Sequence, residues 1–122
     1  MKAEELMRFD WVHLVDDNTP RQVDWIRSGE VGLFWNKTVT PPYLEPIPLT
    51  TEILEKNGWV KDLYSVESYD NEELECLSLW VGEDGKNKWW WHVGVELVTP
   101  INYVHELQHA LRLCGITREI IL

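Results

Sequence analysis

An α+β fold is the expectation for this chain, and three features of the sequence carry it. Short β-prone runs divided by turn residues occupy residues 1–46, the pattern of a small, bent antiparallel sheet. Thr50, the run 51–56 and Asn57-Gly58 supply the cap, body and left-handed stop of a short connecting helix. Further β-prone runs up to residue 98, then apolar residues at helical spacing over 101–114, predict a second antiparallel sheet packed by a C-terminal helix. A length of 122 residues suits a single domain, with an N-terminal β lobe over about 1–46 and a helix-sheet-helix lobe over about 47–122.

Taken in order, residues 3–7 have room for one helical turn. Residues 9–15 and 23–27 are β-prone, and Asp16-Asp17-Asn18-Thr19-Pro20 between them has the composition of a turn. Ser28-Gly29 makes the next turn, residues 31–35 run extended, and Thr40-Pro41-Pro42 stops them. Glu45-Pro46-Ile47-Pro48 is stiff and extended because proline fixes φ, and it delivers the chain to the capping Thr50. Beyond the short helix, 63–66, 74–81 and 88–98 read as strands, the last two joined by the loop Gly82-Glu83-Asp84-Gly85-Lys86-Asn87. Pro100 is expected to end this sheet. In the final helix, Tyr103, Val104, Leu107, Ala110, Leu111 and Cys114 gather on one side, expected to be buried, with Gly115 as the stop. His105, His109 and Arg112 then face outward.

Hydrophobic residues make up 44% of the chain, the content of an ordinary globular protein, and disorder is not indicated. The N-terminus carries charge from its second residue and has no long apolar run, so it reads as neither a signal peptide nor a membrane anchor, and the expected location is cytoplasmic. Cys76 and Cys114 are too few for a disulfide scaffold and are read as free thiols packed as small apolar groups. A formal charge of -10 opposes binding to a nucleic-acid polymer, which is held through Lys and Arg that displace counterions. The acids Glu67, Asp70, Glu72, Glu73 and Glu75 read as a solvated loop between strands.

Eight tryptophans are the unusual feature of the composition, and alternation along residues 88–98 sorts three of them. Trp89, Trp91, Val93, Val95 and Leu97 form one apolar face, suited to the core. Trp90, His92, Gly94 and Glu96 form the other. An indole, an imidazole and a carboxylate in line, with a glycine permitting close approach, make a floor for a flat ligand such as a base or sugar ring. A half-exposed sheet face or a homo-oligomer interface is the plainer use of the same residues. Arg21, Arg27, Lys37, Lys86 and Lys88 are the bases able to meet a phosphate, and Trp90 or Trp59 can stack on a base. The expected ligand-binding set is Trp90, His92, Trp59, Arg27 and Lys88.

His105-Glu106-Leu107-Gln108-His109 spells H-E-x-x-H. Two histidines four apart on a helix share one face and can hold zinc, with the glutamate between them placed to take a proton from metal-bound water. A catalytic zinc needs a third protein ligand. Glu119, ten residues after His109, fits neither the metzincin nor the thermolysin-like spacing, so His13 or His92 would have to complete the site. The match is read as accidental, with no cofactor expected; the alternative is a zinc-dependent metallopeptidase using His105, Glu106 and His109. No G-x-S-x-G elbow, P-loop or G-x-G-x-x-G is present.

Residues 45–59, EPIPLTTEILEKNGW, and 101–109, INYVHELQH, resemble a small uncharacterised phage and prophage protein family of Bacteroidetes. Its members read PIPLTEEILLKNGF and KYVHELQNLYFALTG at these places, and residues 4–12, EELMRFDWV, are similar to their opening DLRIGNWV. Relatives often have Gln or Glu at the position of Glu106 and Asn at that of His109. The resemblance therefore implies that H-E-x-x-H arises here from one change in a structural helix. It implies a lineage rather than an activity.

The reading reached is a small non-enzymatic accessory binding protein. It is expected to sequester a nucleotide-derived immune signal, as a counter-defence factor, or to occupy a host protein. The immune-signal version follows from the resemblance and its genomic setting, and no phosphate-binding motif supports it.

Overall fold

A computed structural model describes residues 1–35, 37–61, 68–71, 74, 77–81, 89–93 and 96–122. It is α+β, with two antiparallel sheets of five strands each, a short helix between them and a C-terminal helix. Contacts divide the chain into two compact units, Met1–Pro48 with Tyr103–Arg118, and Leu49–Asn102 with Glu119–Leu122. The lobes expected at about 1–46 and 47–122 differ from this in Tyr103–Arg118, which group with the first unit. The expected strand 63–66, the loop 82–87, Gly94, Lys88, Cys76 and the acids Glu67, Glu72, Glu73 and Glu75 lie outside the described residues.

In the first unit a 3-10 turn at Ala3–Glu5 leads into β1 (Trp11–Leu14), β2 (Asp17–Arg27), β3 (Glu30–Leu33), β4 (Lys37–Val39) and β5 (Leu44–Pro46). The sheet order is β4-β3-β2-β1-β5. Alternation buries Val12 and Leu14 of β1, and these join Leu6, Val23, Val31, Leu33, Val39 and Leu44 in one core. Ser28 and Gly29, both at positive φ (51° and 79°), close the hairpin between the paired residues Arg27 and Glu30. Such a two-residue turn needs left-handed backbone at both positions, which is why glycine suits it. Gly32 serves a different purpose: a Cβ there would lie 2.0 Å from the Trp25 indole, so the ring lies over bare backbone.

The turn expected over residues 16–20 is corrected. β2 already begins at Asp17, and between the pairs Val12–Arg21 and Leu14–Asp17 one residue of β1, His13, faces three of β2, Asn18, Thr19 and Pro20. Pro20 is tolerated because it stands in this bulge, and β3 pairs with β2 only from Val23 onward.

In the second unit the Thr50 hydroxyl accepts a hydrogen bond from the Ile53 N–H at 3.3 Å and starts α1 (Thr51–Lys56). Gly58, at φ 85°, ends it as the sequence predicts. Asn57 beside it is buried; its Nδ2 donates to the Ile53 and Ile121 carbonyls and its Oδ1 accepts from Ile121 N–H, each at 2.7 Å. These bonds tie the C-terminal tail to the end of α1. The sheet that follows has β6 (Trp59–Lys61), β7 (Ser68–Asn71), β8 (Leu77–Val81), β9 (Trp89–Val93) and β10 (Glu96–Ile101), each antiparallel to the next.

Alternation holds on β9: Trp89 and Trp91 are buried and Trp90 and His92 are half-buried. The indoles pack edge-on, Trp89 against Tyr69 at 5.2 Å and Trp91 against Trp59 at 5.8 Å. Two expectations fail here. The run 88–98 is not one strand but the pair β9 and β10, so Val93 is exposed at the end of β9. Pro100 does not end the sheet; it stands within β10, opposite Trp90, and its missing N–H is accommodated because β10 is an edge strand. Asp70, expected in a solvated loop, is an exposed residue of β7.

The C-terminal helix α2 (Val104–Leu113) starts later than the spacing suggests, because Ile101 still pairs with Trp89. Val104, Leu107, Ala110 and Leu111 are buried as expected, and so are His105 and Gln108. Tyr103 and Cys114, expected on the buried side, are exposed, since both lie just beyond the helix ends. Among the described residues no helix is long and apolar enough to cross a membrane.

Candidate functional site

The expectation that the H-E-x-x-H histidines face outward is corrected by the way α2 meets the N-terminal segment. Gln108 accepts from the Trp11 N–H at 2.9 Å and donates to the Phe9 carbonyl at 2.9 Å. One turn along, the fully buried Asp10 carboxylate accepts from His109 Nε2 at 2.6 Å, Arg112 Nη1 at 3.1 Å and Met7 N–H at 2.8 Å. A buried carboxylate demands such partners, and α2 supplies two of the three. Glu106 accepts from Tyr103 N–H at 3.0 Å, the capping-box bond that closes the first turn of α2. His105 is 4% exposed, stacked on Tyr103 at 5.9 Å and edge-on to His109 at 5.5 Å. Burial pushes its pKa below the ordinary histidine value, opposed by the charges of Asp10, Glu106 and Glu5.

His13 Nδ1 donates to the Leu14 carbonyl at 2.8 Å and its Nε2 is 3.8 Å from Glu45. His92 and Glu119 belong to the second unit. Among the described residues no group of three His, Cys, Asp or Glu side chains is placed to hold a metal ion. The chemistry open to this region is that of an ion-pair clamp between α2 and the residues ahead of β1.

Of the expected ligand-binding residues, Trp90 and His92 come together on the open face of the second sheet. The strand register sets Trp80 opposite Trp90 and Ser78 opposite His92. Trp80 stacks on the His92 ring at 4.7 Å, and its Nε1–H donates to Ser78 Oγ at 2.8 Å. Burial lowers the His92 pKa from its ordinary value. Trp80, 44% exposed, is thus a third aromatic of this face, and the β-prone run 74–81 was its only signal in the sequence. Trp59 does not join it: at 2% exposure it is a core residue, and an indole packed against Trp91 has no face left for a ligand. Arg27, in the first unit, is exposed, with its guanidinium over the Trp25 ring at 5.5 Å.

A cleft of about 280 Å³ opens in the first unit. The bulge in β2 contributes Thr19 and Pro20 to its wall, and Arg21, paired with Val12 just after the bulge, stands beside them; Trp11 of β1 and Phe34 and Trp35 beyond β3 contribute the aromatic surface. Trp35 is 91% exposed and sits at φ 74°, a left-handed backbone that bulky residues rarely adopt. Phe9 also has φ 74°; it stacks on Phe34 at 5.8 Å, with the Arg8 guanidinium 4.7 Å from the Phe9 ring centre. Arg21 Nη2 meets Asp17 Oδ2 at 3.4 Å. The Asp17 carboxyl is held below the usual carboxylate range, first by the Thr19 backbone N–H and then by the Thr19 and Arg21 side chains. The only sequence signals for this cleft are the positive charge of Arg21 and the abundance of tryptophan.

Comparison with protein-family models, with curated proteins and with solved structures finds no match to this chain.

Proposed function

We propose that the chain is a small non-enzymatic accessory binding protein of phage or prophage origin, acting in the host cytoplasm. It sequesters a small nucleotide-like molecule, as a counter-defence factor would, or occupies a host protein. The observation that carries this reading is Trp35, an indole 91% exposed on the wall of a cleft that also holds Arg21. Apolar area left in water is unfavourable, and an aromatic displayed beside a cationic group is the usual make-up of a recognition surface. The likeness of residues 45–59 and 101–109 to a phage and prophage family supports the biological setting. Binding is favoured over hydrolysis because Glu106 and His109, the base and a ligand of the alternative mechanism, already cap α2 and hold Asp10.

Native mass spectrometry of untagged protein purified without chelator tests the reading. The expected spectrum has no zinc increment and retains a small molecule or a host protein. A zinc-sized increment on each chain that disappears in His109→Asn would overturn the reading in favour of a metallopeptidase.

A further inference from the structure

We infer that the cleft between Trp11, Phe34, Trp35 and Arg21 is the binding site, and that its ligand is a planar ring carrying one phosphate or carboxylate group. The inference rests on the reading of the chain as a binding protein and names the site and the ligand class.

The anionic half of the ligand follows from Arg21. Its Nε is buried without a hydrogen-bond partner among the described residues. Its contact with Asp17, at 3.4 Å, is longer than an ordinary charge-assisted hydrogen bond. A guanidinium N–H removed from water and left unpaired is unfavourable, which leaves Arg21, on the cleft wall, short of an anionic partner. Asp17 already takes Nη2, the second nitrogen of the Nε edge, so a phosphate or carboxylate in the cleft meets the guanidinium as a single opposite charge. Asp17 already balances part of the Arg21 charge, which favours a ligand bearing a single acidic group over a polyphosphate.

The planar half follows from the aromatic wall. Trp11, Phe34 and Trp35 give the cleft three ring surfaces, and Trp35 turns almost its whole side chain to solvent. Two aromatic residues at positive φ, Phe9 and Trp35, flank Phe34 in space or in sequence. Backbone held in this region by bulky residues is concentrated at ligand-contacting sites. A volume of about 280 Å³ suits one ring system with one acidic group and is too small for a dinucleotide. A nucleoside monophosphate and an aromatic carboxylic acid share this chemistry.

Isothermal titration calorimetry of the full chain tests the inference, using adenosine and uridine monophosphates, indole-3-carboxylate, adenosine and inorganic phosphate as probes. At least one ring-bearing anion is expected to bind, with adenosine and phosphate at least tenfold weaker. Preference for a monophosphate over indole-3-carboxylate, or the reverse, identifies which acidic group the cleft takes. Trp35→Ala, at an exposed position, should weaken that binding tenfold or more. Arg21→Gln, with its fold checked by circular dichroism, should erase the gap between adenosine monophosphate and adenosine. Failure of every ring-bearing anion to bind the wild type at millimolar concentration overturns the inference. So does unchanged binding in both variants; if that binding is instead lost in Trp80→Ala, the cleft is refuted while the binding-protein reading stands. Stoichiometric zinc with peptidase activity refutes both.

Discussion

Asp10 and His109, 99 residues apart in sequence, are joined by a hydrogen bond of 2.6 Å from imidazole Nε2 to carboxylate Oδ2. Arg112 completes the clamp at 3.1 Å, and the carboxylate that receives both is fully buried. Asp10→Ala removes the acceptor and leaves two cationic or polar side chains facing an apolar gap. The unfolding free energy should fall by about 3 kcal/mol, the lower end for a broken buried pair, because His109 and Arg112 each keep about a quarter of their side chain in water. Asp10→Asn keeps an acceptor for Met7 N–H and should lose less. Urea denaturation of the two variants checks the order; an alanine variant as stable as wild type would show that the clamp is incidental.

Glu106 separates a structural from a catalytic reading of H-E-x-x-H. Glutamine retains the oxygen that accepts from Tyr103 N–H, so Glu106→Gln should leave stability within about 0.5 kcal/mol of wild type and keep ligand binding intact. Glu106→Ala loses the capping bond and should cost about 1 kcal/mol. Thermal denaturation with a binding assay reads both. Loss of function in the glutamine variant at full stability would point instead to a catalytic carboxylate.

Buried His105 makes stability depend on pH. Its folded pKa lies below the ordinary value of 6.5, so on acidification the unfolded chain takes up a proton before the folded chain does. The contribution is neutral above about pH 6.5 and becomes increasingly unfavourable as pH falls from there to the folded pKa. The slope is at most about 1.4 kcal/mol per pH unit for one proton. Asp10, Glu106, His109 and Glu5 act on the same ring, so the comparison must be with His105→Phe, which removes only this proton. Urea midpoints between about pH 7.5 and 5 should fall more steeply for wild type than for the variant; parallel curves would exclude His105 as the cause.

Trp80 and His92 give a local readout of the second sheet. The indole stacked at 4.7 Å shields the imidazole, whose pKa is lowered by burial alone. Trp80→Ala should therefore raise the His92 pKa toward about 6.5 while costing about 1 kcal/mol of stability. A nuclear magnetic resonance titration of the His92 ring protons measures it. An unchanged His92 pKa would mean that the indole is not what keeps water from the ring.

Local chemistry was legible in the sequence wherever a few neighbouring residues suffice to set the backbone. Thr50, Asn57-Gly58 and Ser28-Gly29 capped or turned the chain where expected, because capping and left-handed φ are decided within four residues. The alternation that buries Trp89 and Trp91 was equally plain, since the period of a strand is two. The division of residues 88–98 into two strands and the bulge opposite His13 were not, because both depend on what the neighbouring strand offers.

The sequence by itself determined the α+β class, the short helix with its cap and stop, the apolar face of β9 and the buried apolar stripe of α2. Only the tertiary structure decided which side chains share a site. Asp10 carries no local mark of burial; it became the anchor of α2 when folding brought Gln108, His109 and Arg112 to residues 9–11. Arg21 was one base among several until the bulge in β2 set it beside Trp11 and Trp35. Secondary structure is set by interactions between near neighbours, whereas a binding site is made from residues that approach only once the chain has folded, and no local pattern encodes that approach.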